Sequence, residues 1–230
     1  MNRVLVAVGM SALLLSGCSI LPEAVPVDVY RLSAPAVDGG PAQRVFGAPT
    51  VMVSLPSASR TVGGDNIMVG RPDGSMAAVA GVRWAAPARN LMQDYIVETF
   101  EAAAPTLAPL RPGDGISGDF DLAIDLRQFQ AEYNQGPEAA PLVHVSAGAR
   151  LISAARELEG STVLSSDVRA NGNTMREIIA AFETATATVA NELAAWTVER
   201  VEAAEDRIAR LAQEPPARTA TEVEINIDRD

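Results

Sequence analysis

The stretch Phe120-Asp121-Leu122-Ala123-Ile124-Asp125-Leu126 alternates apolar and polar side chains. A strand sends successive side chains to opposite faces, so Phe120, Leu122, Ile124 and Leu126 share one face while Asp119, Asp121 and Asp125 share the other. Two similar runs follow. Leu142–Leu158 places Val143, Val145, Ala147, Ala149 and Leu151 on one face, and Ser161–Ala170 closes the series. Turn residues at Gly136-Pro137 and Glu159-Gly160 separate the runs, the pattern of an antiparallel meander.

Working outward from the meander, the period changes to helical on both sides. Ala85–Ala103 carries a stripe of Met92, Ile96, Phe100 and Ala103, widened by Leu91 and Tyr95, with Asp94, Glu98 and Glu101 outside it. After the meander, Thr174-Met175-Arg176-Glu177 has the capping-box spacing, in which each polar side chain satisfies an orphan backbone N–H. The helix it opens carries Ile178, Phe182, Ala185, Val189, Leu193 and Trp196. Val201, Ala204, Ile208 and Leu211 continue an apolar line up to the stop at Pro215-Pro216. Earlier in the chain, Val27–Leu32, Val45–Leu55, Ile67–Val69 and Met76–Trp84 read as strands, with turns at Gly63-Gly64-Asp65-Asn66 and Arg71-Pro72-Asp73-Gly74. The fold class expected is α/β or α+β: a single mixed or antiparallel sheet covered by two helices, the second long and C-terminal.

The N-terminal residues belong to another kind of segment. Arg3, the apolar run Val4–Leu15 and the small residues Ser16-Gly17 have the layout of an export signal. The run is too short to span a bilayer, which needs roughly 20 apolar residues. Leu15-Ser16-Gly17-Cys18 resembles the bacterial lipobox, whose cysteine is lipidated and becomes the new N-terminus. One acyl chain holds marginally and two hold stably, so a triacylated Cys18 is a lasting anchor. Cys18 is the sole cysteine, which rules out an intramolecular disulfide. Ser19, rather than Asp, favours onward sorting to the outer membrane. The expected organisation is signal 1–17, lipid-anchored tether 18–26, folded domain 27–200, helix extension 201–213 and a mostly disordered acidic tail 214–230. In that tail Val223, Ile225 and Ile227 alternate with polar residues and could add an edge strand to a partner's sheet.

Composition removes several chemistries. The formal net charge is −11, so phosphate backbones are repelled and nucleic-acid binding is not expected. All 18 basic residues are arginine. Without lysine there is no Walker-type loop, no Schiff base to pyridoxal phosphate and no serine–lysine dyad. One histidine, His144, and no free thiol exclude multi-histidine zinc sites and Cys–His dyads. His144 sits mid-strand and reads as a packed or solvent-facing residue; no Gly-x-Ser-x-Gly elbow supplies it with a nucleophile. Asp119, Asp121 and Asp125 lack EF-hand spacing and read as a solvated face. Gly63-Gly64 and Arg111-Pro112-Gly113-Asp114-Gly115 read as turns, and Trp84 and Trp196 as residues packed on the sheet. No catalytic residue, metal ligand or cofactor site is assigned; Cys18, as the lipidation site, is the single functional residue.

The residues resemble one known family over roughly Val27–Glu199, the ABC-type transport auxiliary lipoproteins. The resemblance rests on the lipobox at Cys18, Tyr30-Arg31-Leu32, Val53-Ser54-Leu55-Pro56, Asp65-Asn66-Ile67-Met68-Val69 and, most specifically, Arg83-Trp84-Ala85-Ala86-Pro87 opening the first helix. It implies a non-enzymatic lipoprotein at the periplasmic face of the outer membrane. Its partner would be an MCE-type protein of an intermembrane lipid transport system, and family members can form homo-oligomeric rings. The acidic helix extension and tail beyond Trp196 depart from the family pattern. A lipid-binding carrier that holds an acyl chain itself is the alternative.

Overall fold

The structure, a computed structural model, describes residues 26–33 and 47–213. The signal, Cys18, most of the tether, the linker beyond Ser33 and the alternating Val223–Ile227 lie outside the described residues.

The longest strands are the three read from alternation. β7 (Phe120–Glu132), β8 (Leu142–Ser153) and β9 (Leu158–Arg169) form an antiparallel meander, as expected. Along β7 the two faces separate, with Phe120, Leu122, Ile124 and Leu126 buried. One turn of the meander differs from expectation. The β8–β9 turn falls at Ala154–Glu157, with Arg156 in the left-handed region (φ 66°), while Glu159-Gly160 lies inside β9. Gly160 serves another purpose: a Cβ there would stand 3.0 Å from Arg200 Cδ and 3.2 Å from Trp196 Cζ2. The glycine lets the long helix lie close to the strand.

On the other edge of β7 the chain from Thr50 to Gly70 runs parallel to it as one interrupted strand. β2 (Thr50–Val53), β3 (Ser57–Ala58) and β4 (Asn66–Gly70) pair in turn with the start, middle and end of β7. Pro56 cannot donate to a ladder, which fits the break between β2 and β3. Between β3 and β4 stands a single helical turn, α1 (Arg60–Gly63), where a simple turn was expected. Ser59 Oγ caps it by accepting from Val62 N–H at 3.3 Å. Gly63 is required there because a Cβ would come within 2.7 Å of Ala58 Cβ.

Beyond β4 lie antiparallel β5 (Met76–Trp84) and then β1 (Asp28–Tyr30), parallel to β5; beyond β2 lies β6 (Ala108–Leu110). The nine strands of the described residues make one mixed sheet. Turn Arg71–Gly74 joins β4 to β5, closed by Gly74 N–H to Arg71 O at 2.9 Å.

Two long helices cover one face. α2 (Ala88–Ala103) starts after Pro87, and Met92, Ile96 and Phe100 are fully buried, while the closing position of its stripe is Ala104 rather than Ala103. α3 (Met175–Gln213) has 39 residues, about 58 Å at 1.5 Å per residue. The capping box forms: Thr174 N–H donates to Glu177 Oε2 (3.0 Å) and Glu177 N–H to Thr174 Oγ1 (3.4 Å). The rings of Trp84, Phe129 and Phe182 meet at centroid distances of 4.9–5.4 Å and tie β5, β7 and α3 together. Trp196 is partly buried against the same core.

Candidate functional site

Most of the described residues weighed in the sequence have a definite local role. His144 stands on the uncovered face of the sheet, with Asp167 opposite it on β9. Its Nδ1 is 2.7 Å from Asp167 Oδ1 and its Nε2 3.1 Å from Glu132 Oε2. Both ring nitrogens thus face carboxylates rather than a hydroxyl that a base could activate.

Two of the three aspartates tie the early strands to β7 by different contacts. Asp119 accepts from Thr50 N–H (2.8 Å) and Thr50 Oγ1–H (2.7 Å), stitching the start of β2 to the start of β7. Those hydrogen bonds hold its carboxyl below the usual carboxylate range. Asp125 accepts from Ser57 Oγ (3.3 Å) and Arg127 Nε (3.2 Å). Among the described residues no group of three or more His, Cys, Asp or Glu is placed to hold a metal ion. Arg111–Gly115 is a turn in which Arg111 N–H donates to Asp114 Oδ2 at 2.7 Å.

The end of α3 contains an arrangement that periodicity did not reveal. Arg207 makes a bidentate pair with Glu159 on β9 (Nη1–Oε2 2.7 Å, Nη2–Oε1 2.8 Å) and reaches Glu157 Oε2 at 3.2 Å. The Glu159 side chain is 1 % exposed, and the hydrogen bonds from Arg207 hold its carboxyl low against the opposing effect of burial. The helix keeps an apolar line past this clamp, but the sheet does not follow it. Val201 and Ala204 are buried, whereas Ile208 and Leu211 are 53 % and 61 % exposed. An open groove of about 530 Å³ lies beside Ile208, walled by Phe120, Ala154 and Glu157.

The two ends of the molecule are therefore unlike. β1 runs parallel to β5, so the chain enters it from the side where β5 begins, β7 ends and α3 starts. The last turns of α3 project at the opposite end, beside the β8–β9 turn. Among the described residues no helix is long and apolar enough to cross a membrane.

The family model of the ABC-type transport auxiliary lipoprotein component matches residues 30–194. The chain belongs to that family. The match ends within α3, before the Arg207 clamp and the exposed Ile208 and Leu211. An uncharacterized protein of Bradyrhizobium diazoefficiens is 28% identical over 131 residues, 57% of this chain and 35% of the relative. The aligned part thus spans about a third of that protein's length. Among solved structures, a Xanthomonas campestris protein superposes with a TM-score of 0.68 at 24% identity, covering 78% of this chain and 99% of its own. A second crystal structure, of an uncharacterized protein, gives 0.60 at 12% identity over 75% and 99%. These superpositions establish the shared fold. The lipoprotein and transport-auxiliary character comes from the family match.

Proposed function

We propose that this chain is an accessory lipoprotein held to the periplasmic face of the outer membrane by lipid on Cys18. It would serve an ABC/MCE-type intermembrane lipid transport system by binding and positioning the transport assembly, without catalysis. Membership of a transport auxiliary family over residues 30–194 carries the reading. The lipobox Leu15–Cys18 and Ser19 supply the anchor and its destination.

The geometry fits a spacer. Seven residues lie between Cys18 and Pro26, a reach of at most about 29 Å, so a lipid on Cys18 would keep the β1 side of the fold near the membrane. The end of α3 would then face away from it, toward a partner arriving across the periplasm. The space between sheet and helices is filled by Trp84, Phe129 and Phe182, which favours positioning over a carrier that holds an acyl chain itself.

Cys18→Ala tests the anchor. An exported, non-lipidated form should keep its fold by circular dichroism yet lose its membrane fraction and fail to complement a deletion strain. Full complementation by that soluble form would sink the anchored reading. Crosslinking in the envelope should capture an MCE-type protein, and capture of none would remove the assigned partner.

A further inference from the structure

The face of the sheet that the long helices leave uncovered has a dent in its middle. Strand register places Ala123, Arg150 and Ser161 in one row across β7, β8 and β9, and Asp125, Gly148 and Val163 in the next. The register shift between Leu126 and Gln128 is a bulge, and such bulges re-aim side chains. Here it turns Arg127 out over the neighbouring strand. Its guanidinium lies across Gly148, where a Cβ would stand 2.8 Å from Nη2 and 3.1 Å from both Cζ and Nε. Any larger residue would push the guanidinium off the sheet. The result is an open cleft of about 640 Å³ with Arg127 and Arg150 among its walls and the residues Ser57, Ser161 and Thr162 around it.

The charges in this cleft run against the rest of the molecule. Two arginines and one aspartate line it, in a chain whose net charge is −11. Arg127 engages Asp125 only through Nε, at 3.2 Å. Among the described residues, its terminal nitrogens have no hydrogen-bond acceptor and Arg150 has no ion pair. Two guanidinium groups on adjacent strands offer N–H forks that match the oxygens of a tetrahedral anion. Hydroxyl-bearing residues nearby suit a polar group, and nothing in the lining provides the aromatic or long aliphatic walls an acyl chain would need.

We propose that the cleft around Gly148 is a phosphate-binding site in which Arg127 and Arg150 take the anion between them. Two sources carry that chemistry: a phospholipid headgroup and free inorganic phosphate. The site is independent of the proposed anchor and of any partner.

The test uses the full-length lipoprotein in a phosphate-free, non-ionic detergent. Inorganic phosphate and, separately, dihexanoyl phosphatidylglycerol below its micellar concentration are titrated by calorimetry and by ³¹P line broadening. Saturable binding is expected, weakened at least tenfold by Arg150→Gln and by Arg127→Gln. Arg156→Gln, on the β8–β9 turn outside the cleft, should bind as the parent does. Gly148→Ala keeps both charges but displaces the Arg127 guanidinium, and it too should weaken binding; circular dichroism and Tm check that each variant is folded. Tighter binding of the lipid identifies a headgroup site, and equal or tighter binding of inorganic phosphate identifies a free-anion site. No saturable binding of either probe overturns the proposal. So does binding that folded Arg127→Gln and Arg150→Gln proteins retain in full.

Discussion

Trp84 joins the last position of β5 to the centre of the core. It is 1 % exposed and sits 5.2 Å from the Phe182 ring in an edge-to-face arrangement and 5.4 Å from Phe129. Few aromatic residues are available in this chain, 4% of the total, so three of them in mutual contact concentrate much of the buried ring area. Trp84→Ala leaves a cavity that small neighbours cannot refill. Large aromatic-to-alanine changes in cores cost about 3–5 kcal/mol, and urea unfolding should show a loss in that range, with a lowered midpoint. An unchanged midpoint would mean that the ring contacts contribute little. The sequence pointed to Trp84 through its place beside a helix start. It gave no sign of Arg127 lying over Gly148, because that contact needs a bulge and the register of two strands, neither of which has a pattern in a single chain.

Elements with a period long enough to repeat were readable, whereas β3, α1 and β6 were not. Alternation over β7 and the four-and-three spacing along α3 express the geometry of strand and helix directly. β3, α1 and β6 contain two, four and three residues, too few for a pattern to repeat; pairing with β7 and β2 defines the two strands, and the Ser59 cap marks the helical turn. The β8–β9 turn was misplaced for a different reason. Gly160 has turn chemistry in sequence but is fixed by the approach of Trp196 and Arg200, while Arg156 takes the left-handed conformation itself. The Arg207–Glu159 clamp gives α3 a pH response. Glu159 is held below its ordinary pKa, so its contribution is complete above the usual glutamate range and is lost as pH falls through the lowered value. Hydrogen exchange at the α3 backbone amides from Ala209 to Gln213 should therefore quicken on acidification, after correction for intrinsic rates. Arg207→Gln should remove most of that dependence. Equal acid sensitivity in parent and variant would show that the clamp does not hold the helix end.

The whole molecule combines neighbours in sequence with distant partners. β7, β8, β9 and α3 are consecutive and antiparallel or packed back on one another, so short turns close their contacts. The Thr50–Gly70 segment instead waits for a parallel partner that begins at Phe120. Closing such long loops costs entropy before any contact repays it, which slows formation of the non-local pairs. Pulse-labelling hydrogen exchange during refolding should protect β7–β9 amides before those of β2, whose partners β6 and β7 are both distant in sequence. The reverse order, or simultaneous protection, would show that the nucleus lies elsewhere.

That interrupted parallel strand also bears on the nascent chain. A ribosome delivers the N-terminal half first, so β1, β2 and β4 are complete while β7, which must receive β2 and β4, is still unmade. During that interval β1 and β4 can pair with β5 and β2 with β6, but the edges of β2 and β4 that face β7 have no intramolecular destination, and exposed edges of this kind recruit other strands. The topology thus places the greatest aggregation risk before β7 is synthesised, and makes protection of the early chain, by a holdase or by rapid delivery, part of what this fold requires.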